Sequence, residues 1–135
     1  MYLLDTNILL ELILEQQRAD EVETLLHQLE LESLRLSEFT LYSLGVILFR
    51  RKMVTIYLQT IDDLIVKGGV HLIRLQPQDM EKLASNAKRY NLDFDDAYQY
   101  TVAEKFGLTL VSFDHDFDKT KLGRKTPAEL IQKSV

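Results

Sequence analysis

Short, mainly apolar runs recur along the chain and are separated by longer segments in which polar residues are interspersed. Such runs are typical of strands buried in the middle of a parallel sheet, because both faces of these strands meet apolar neighbours. Gly, Pro or cap-type residues follow several of the runs, which marks where the chain leaves the sheet. The predicted strands comprise residues 1–4, 34–36, 70–75 and 108–111.

The segments between these runs repeat apolar residues at intervals of three and four, which is the period of an amphipathic helix. In one of them Val22, Leu25 and Leu29 would share a face. Residues 39–49 are apolar nearly all round, so we expect a central core helix that is buried on more than one side. The predicted helices comprise residues 8–15, 22–29, 39–49, 56–65, 77–87, 96–106 and 128–131.

Strands that alternate with helices predict βαβ units, in which helices cover both faces of a parallel sheet. We therefore predict an α/β fold with three layers, α/β/α, around a central, mostly parallel sheet of four or five strands. The 135 residues include only 5 Gly and 2 Pro, and they show neither an internal repeat nor a linker-like stretch. Residues 1–135 are accordingly predicted to form a single domain.

The composition excludes several classes of protein. The chain has no cysteine, which rules out disulfides, thiolate metal sites and a cysteine nucleophile. The longest charge-free apolar run, residues 39–49, is well short of the ~20 residues that span a bilayer. The N-terminus has no basic segment before its apolar run, so we expect no secretory signal, no membrane partner and a cytoplasmic location. The net charge of −5 argues, at face value, against a nucleic-acid partner.

Acidic side chains follow the predicted strands at the edge where active sites of parallel sheets lie. Asp5 comes after the first strand, and Asp114 and Asp116 come after the last. Asp93 and Asp96 stand at the start of a predicted helix one element earlier. Carboxylates gathered at one edge repel each other unless a cation is present. Oxygen ligands without cysteine or paired histidine favour Mg²⁺ or Mn²⁺ over zinc.

Each of these acids also has a purely structural explanation. Asp5 could cap a helix, and Asp96 with Gln99 matches a capping box. Residues 114–118 could form an ordinary polar loop.

Two other acidic folds are disfavoured by the residues present. In a calcium-binding EF-hand loop, Lys119 and Lys125 would stand where glycine and glutamate are needed. A phosphoacceptor receiver domain needs an acidic pair after the first strand, where Asp5 stands alone. It also needs an acceptor Asp after a middle strand, and no Asp lies between Asp20 and Asp62.

Four segments together resemble the motifs of the PIN domain, the small metal-dependent nuclease fold of VapC-type toxins. Their order and spacing cover essentially the whole chain. The segments are LLDTN at residues 3–7, DAY at 96–98, GLTLVSFDHDF at 107–117 and TPAEL at 126–130.

The resemblance implies a Mg²⁺- or Mn²⁺-dependent endoribonuclease that hydrolyses RNA phosphodiester bonds. It also implies a homodimer and, where the protein is a toxin, an antitoxin partner. One or two ions would activate a water molecule and stabilise the leaving oxygen. The metal ligands and catalytic residues carried over from the family are Asp5, Asp96, Asp114 and Asp116, with support from Asn7, Ser112 and Asp93.

One position departs from the family pattern. PIN domains usually have a Glu in the helix after the second strand, and the corresponding residue here is Ser43. Glu38 is nearby, but five residues along a helix correspond to about 7.5 Å of rise and a different face. The chain is therefore either an enzyme with a reduced acidic set or a catalytically weakened PIN module that binds RNA or a protein partner. In a purely protein-binding scaffold, residues 39–49 would pack on a second subunit or an antitoxin.

The charge of −5 is unevenly distributed. Residues 1–49 contain 9 acids and 2 bases, whereas residues 50–135 contain 12 acids and 14 bases. The second half therefore offers candidates for phosphate contacts close to the acidic loop. These candidates are Lys119, Lys121, Arg124 and Lys125.

Overall fold

The computed structural model describes residues 1–132, and the strands in this range form one parallel sheet of four strands in the order β3-β2-β1-β4. In the register, Tyr2 pairs with Leu34 on one side and with Thr109 on the other. The predicted three-layer α/β/α fold with four or five strands is thereby confirmed. The strands are β1 (Tyr2–Leu4), β2 (Leu34–Ser37), β3 (His71–Ile73) and β4 (Thr109–Val111).

Helices cover both faces of this sheet, and most of them begin and end within two residues of the predicted bounds. Shorter 3₁₀ or π turns comprise Leu31–Ser33, Asp62–Val66, Pro77–Asp79 and His115–Lys119. The helices are α1 (Thr6–Ile13), α2 (Ala19–Gln28), α3 (Glu38–Arg50), α4 (Val54–Ile61), α5 (Met80–Tyr90), α6 (Phe94–Phe106) and α7 (Pro127–Leu130).

The core has two halves because successive residues of a strand point to opposite faces of the sheet. Leu3 of β1 is buried in the half that α5 and α6 cover. Leu4, the next residue, is buried in the half that α1, α2 and α3 cover. Both side chains are fully or almost fully buried, which explains why the first apolar run shows no alternation with polar residues.

The start of α6 differs from the capping box that Asp96 and Gln99 suggest. Asp93 is the N-cap, and its Oδ1 atom accepts the backbone N–H of Asp96 at 2.9 Å. The capping box is therefore wrong, because Asp96 is the third residue of the helix and Gln99 forms buried hydrogen bonds to Asp5, Thr40 and Ser37. The C-terminal stop at Gly107 is as predicted, with a left-handed φ of +65° that glycine adopts without strain.

Helix α3 is less buried than the core helix, buried on more than one side, that its composition predicts. Its buried residues within the helix are Thr40, Leu44 and Leu48, which form one stripe facing the sheet. The opposite stripe, Tyr42, Val46 and Phe49, is more than half exposed. The prediction is wrong because the helix belongs to a single layer, so only one of its apolar sides meets the sheet. We call Tyr42, Val46 and Phe49 the α3 stripe.

The segment after residue 122 returns to the sheet. Lys125 forms a parallel bridge with Val111 at the free edge of β4. Its N–H donates to the Leu110 carbonyl at 2.8 Å, and its carbonyl accepts the Ser112 N–H at 3.0 Å. This isolated bridge lies outside the pairing among the four strands of the sheet. Across residues 1–132, the helices are too short or too polar to cross a membrane.

Candidate metal centre

Three of the predicted acids converge beyond the carboxyl ends of β1 and β4. One carboxylate oxygen each from Asp96, Asp114 and Asp116 lies within 4.8 Å of the others. Asp96 is buried near the start of α6, whereas Asp116 is exposed in the 3₁₀ turn that follows β4. The fold therefore brings together side chains from two elements that the short strand β4 separates in the sequence.

Asp5 is outside this group of three but lies in the same cleft, at the N-terminus of α1. Its Oδ1 atom accepts the Thr6 N–H at 2.8 Å, so the structural prediction of a helix cap also holds. The cleft has a volume of about 550 Å³ and an apolar wall opposite the acids. Its lining residues are Asp5, Thr6, Asn7, Leu10, Phe39, Tyr42, Ser43, Val46, Ile47, Asp95, Asp96, Gln99 and Asp114.

Ser112 connects Asp5 to the loop that holds Asp114. Its hydroxyl donates to the Asp5 Oδ2 atom at 2.7 Å and accepts the backbone N–H of Asp114 at 2.9 Å. Asn7 donates to the same hydroxyl at 3.2 Å, and its Oδ1 atom accepts the Phe113 N–H. Asn7 and Ser112 thus lie beside the acids, and their hydrogen bonds fix the position of Asp5 relative to the Asp114 loop.

Gln99 forms a second buried connection that sequence reasoning missed. Its Nε2 atom donates to Asp5 at 3.1 Å and to Thr40 at 2.7 Å, and its Oε1 atom accepts the Ser37 hydroxyl at 2.9 Å. One side chain of α6 thereby joins the ends of β1 and β2 and the start of α3. The available signal was the position of Ser37 directly after the second strand, at the same edge as Asp5.

The electrostatics of the cleft disfavour an ionised acid set in the metal-free protein. Burial and the adjacent carboxyl of Asp114 raise the pKa of Asp96 to about 8. Burial also raises the pKa of Asp5, although hydrogen bonds from Ser112 and Gln99 act against this rise. Burial and the Asp93 charge raise the pKa of Asp95. Three oxygen donors within reach of one ion, in a site that needs positive charge, fit Mg²⁺ or Mn²⁺.

The other residues predicted at the site take different positions. Ser43, the residue that the resemblance sets against the usual family Glu, lines the cleft. Glu38 begins α3 and is not part of the cleft lining, so it does not occupy the place of that Glu. Asp93 acts on the backbone as the cap of α6.

The predicted RNA contacts are not equally available. The Arg124 Nε atom pairs with the Asp118 carboxylate at 2.9 Å, and its Nη1 atom donates to the Ser112 carbonyl at 3.1 Å. Only 9% of the Arg124 side chain is exposed, so this residue is held by the fold rather than free for phosphate. Lys119 donates to the Asn91 carbonyl at 3.3 Å from an exposed position. Lys121 and Lys125 are exposed.

Comparison with solved structures finds the same fold in several proteins. A toxin–antitoxin complex from Klebsiella pneumoniae matches with a TM-score of 0.75 and 22% identity, over 96% of this chain and 100% of that chain. FitAcB from Neisseria gonorrhoeae matches with a TM-score of 0.70 and 26% identity, over 96% and 100%. FitAB bound to a DNA fragment matches with a TM-score of 0.73 and 24% identity, over 99% and 100%.

The family comparison identifies the chain independently of these structures. No curated protein sequence matches it. The PIN domain family model matches residues 2–122, which include Asp5, Asp96, Asp114 and Asp116. The chain therefore belongs to the PIN domain family.

Proposed function

We propose that this PIN domain is a Mg²⁺- or Mn²⁺-dependent endoribonuclease that hydrolyses RNA phosphodiester bonds. The observation that supports this most directly is the approach of Asp96, Asp114 and Asp116 to within 4.8 Å of one another. Two separate elements bring these carboxylates together beside an open cleft. Their mutual repulsion destabilises the fold unless a cation binds.

In this proposal Asp96, Asp114 and Asp116 hold the metal, and Asp5 faces it from the start of α1. A divalent ion bound there supplies Lewis-acid activation of water and neutralises charge on the phosphodiester. Ser112 keeps Asp5 and the Asp114 loop at a fixed separation, so the acids are oriented before substrate binds. Preorganisation of this kind lowers the cost of reaching the reactive geometry.

We also propose that the protein is the toxin of a toxin–antitoxin pair and that it forms a homodimer. The support for the toxin role is that the structures similar to this chain include a toxin–antitoxin complex. The α3 stripe supplies an exposed apolar surface for a protein partner, either an antitoxin or a second copy of the chain. Lys119, Lys121 and Lys125 are the proposed contacts to RNA phosphates.

A second candidate function rests on Ser43. A serine in the cleft contributes no charge, and the acidic set is smaller by one carboxylate than the family pattern. A weakened PIN module would bind metal and RNA, or a protein partner, without turnover.

The first test compares Asp5→Asn and Asp96→Asn with the unaltered chain in cleavage of single-stranded RNA with Mn²⁺. We expect each variant to lose activity by at least about 100-fold, since a metal site contributes several kcal/mol to the transition state. Asp20→Asn, an exposed acid on α2, is the matched control and should cleave normally.

Calorimetric titration with Mn²⁺ separates the two candidates. Metal binding by a chain that does not cleave RNA would support the weakened module. Unchanged cleavage by both Asp5→Asn and Asp96→Asn would contradict the proposed active site.

A further inference from the structure

Three aromatic rings form a continuous surface at the rim of the cleft. The ring of Phe39, in α3, stacks on that of Tyr98, in α6, with centroids 5.3 Å apart and planes inclined by 30°. The ring of Phe94 lies 6.0 Å from Phe39 and 6.2 Å from Tyr98. We call Phe39, Phe94 and Tyr98 the aromatic shelf.

The three rings differ in what they contribute to folding. Tyr98 is buried, and its hydroxyl accepts the Leu75 N–H at 3.0 Å, so this ring is part of the core. Phe39 is half-buried and lines the cleft. Phe94 is 53% exposed although it begins the helix that carries Asp96. Packing therefore accounts for Tyr98 and Phe39 but leaves one face of Phe94 in solvent.

The shelf continues directly into the cleft that holds the acids. Phe39 lines this cleft together with Asp95 and Asp96. Phe94 and Asp96 lie two residues apart in α6, so about 200° of rotation separates their side chains. Phe39 is therefore the link between the shelf and the acids, because it lines the cleft and its ring lies 6.0 Å from that of Phe94. In a nucleic acid, one ribose separates a phosphate from its base. A nucleotide with its phosphate at Asp96 and Asp114 would therefore have a base within reach of the shelf.

We infer that the aromatic shelf stacks an unpaired nucleobase of the RNA, next to the phosphate at the acid cluster, an inference that rests on the proposed nuclease function. Stacking on an aromatic ring needs a splayed-out base, because the bases of a duplex are already stacked on one another. The substrate class is accordingly RNA that is single-stranded at this nucleotide. Stacking selects little among the four bases, since each has a π face.

The charges around Phe94 restrict what part of the RNA lies there. Its sequence neighbours are Asp93 and Asp95, which disfavour a phosphate at the shelf. A neutral base carries no such penalty. A basic side chain of a protein partner would also suit this ring. The planes of Phe39 and Phe94 are inclined by 55°, so a flat base would stack on the exposed ring of Phe94 and contact Phe39 at its edge.

The test measures the affinity of Phe94→Ala for a fluorescein-labelled single-stranded RNA of ten nucleotides, by fluorescence anisotropy in Ca²⁺ buffer. We expect Kd to rise about tenfold, within the range found for stacking of one base. Phe94→Trp should retain affinity, whereas Phe94→Leu should lose it, because leucine restores apolar bulk without a π face. Affinity for a blunt duplex RNA should not change.

Phe106→Ala is the matched control. Phe106 ends the same helix, is 43% exposed and lies about 18 Å from Phe94 along the axis. We expect this variant to bind single-stranded RNA as the unaltered chain does. A set of oligonucleotides, each lacking one base at a different position, provides a second comparison. Loss of the base that stacks on Phe94 should weaken binding to the unaltered chain. The same loss should not weaken binding to Phe94→Ala any further.

The outcomes separate this inference from the proposed nuclease function. Cleavage with Mn²⁺ by the unaltered chain decides the nuclease function, whereas the comparison among variants at Phe94 decides the base contact. Equal affinity of Phe94→Ala and the unaltered chain for single-stranded RNA would overturn the inference, and so would full affinity in Phe94→Leu. Either result would leave the shelf as a contact for a protein partner.

Discussion

Ionisation of Asp96 lowers the stability of the folded, metal-free protein. The pKa of Asp96 is raised to about 8 by burial and by Asp114, against 3.8 for an ordinary Asp. Between these values the folded protein binds more protons than the unfolded chain. The free energy of unfolding of the metal-free protein therefore falls as pH rises from about 4 to about 8.

From this we predict that the metal-free protein has a lower Tm at pH 8.5 than at pH 5.5, as measured by calorimetry. Asp96→Asn should remove much of this difference, because the amide cannot ionise. Saturating Mn²⁺ should raise the Tm most at the higher pH, since the ion replaces a proton at the site. Asp20→Asn serves as the control, and the same pH difference in Asp96→Asn would contradict the assignment.

Ser43 offers a test of how much negative charge the cleft tolerates. We predict that Ser43→Glu lowers the Tm of the metal-free protein, by roughly 4 °C for each kcal/mol of added repulsion. With Mn²⁺ the order should reverse, because the added carboxylate gains a positive partner. Ser43→Gln has the same length without the charge and should show neither effect. Thermal melts of these variants with and without Mn²⁺ measure both shifts in Tm. If Ser43→Glu behaves like Ser43→Gln, Ser43 does not lie near the ion.

At the residue scale, the sequence predicted where the acids lie better than it predicted which side chains pair with one another. Asp5, Asp96, Asp114 and Asp116 follow strands or begin a helix, so the topology alone brings them to one edge. Gln99 was missed because its importance depends on the distance between three elements, which no local pattern contains. Arg124 has the positive charge of a phosphate contact and lies near the acidic loop in the sequence. Its pairing with Asp118 is visible only in the folded loop.

Helix α6 connects the two halves of the site. Asp96 lies on its first turn, and Gln99, one turn further on, reaches Asp5, Thr40 and Ser37. Among residues 1–132, no buried side-chain polar atom lacks a hydrogen-bond partner. The network is complete, so removing one member leaves several buried groups unpaired.

We therefore predict that Gln99→Leu lowers the free energy of unfolding by about 2–3 kcal/mol, because Asp5, Thr40 and Ser37 each lose a partner. Urea denaturation measures the change. Gln78→Leu, at an exposed position before α5, should change stability by less than about 0.5 kcal/mol. A Gln99→Leu variant as stable as the unaltered chain would mean that water replaces the lost hydrogen bonds at no cost.

At the element scale, the predicted positions of helices and strands agree with the structure where the spacing of apolar residues or a helix-ending glycine determines them. The end of α6 at Gly107 and the positions of the four strands follow from such signals. The burial of α3 was wrong because an apolar composition does not report which sides of a helix meet a neighbour. Thr40, on its buried side, is polar, whereas Tyr42 and Phe49, on its exposed side, are aromatic.

For the whole molecule, the α3 stripe is a large apolar surface in contact with solvent. We predict that the unaltered chain is a dimer at micromolar concentration and that Val46→Asp is a folded monomer, as measured by light scattering after gel filtration. The charge would be buried without a partner in the dimer but solvated in the monomer. Leu58→Asp, at an exposed position of α4, is the control and should leave the dimer intact.

A monomeric unaltered chain would contradict the proposed homodimer and leave the α3 stripe to an antitoxin. A dimer that persists in Val46→Asp would place the subunit contact elsewhere on the surface.

The bridge between Lys125 and Val111 has a consequence for solubility. β4 is the last strand of the sheet order, and its outer backbone groups would otherwise be open to another chain. Open strand edges of this kind are templates for intermolecular β-pairing and aggregation. The family match ends at residue 122, three residues before Lys125. A version of the protein that ends at residue 122 would keep every acid of the cleft. Its β4 edge, however, would be open to pair with the same edge of another molecule.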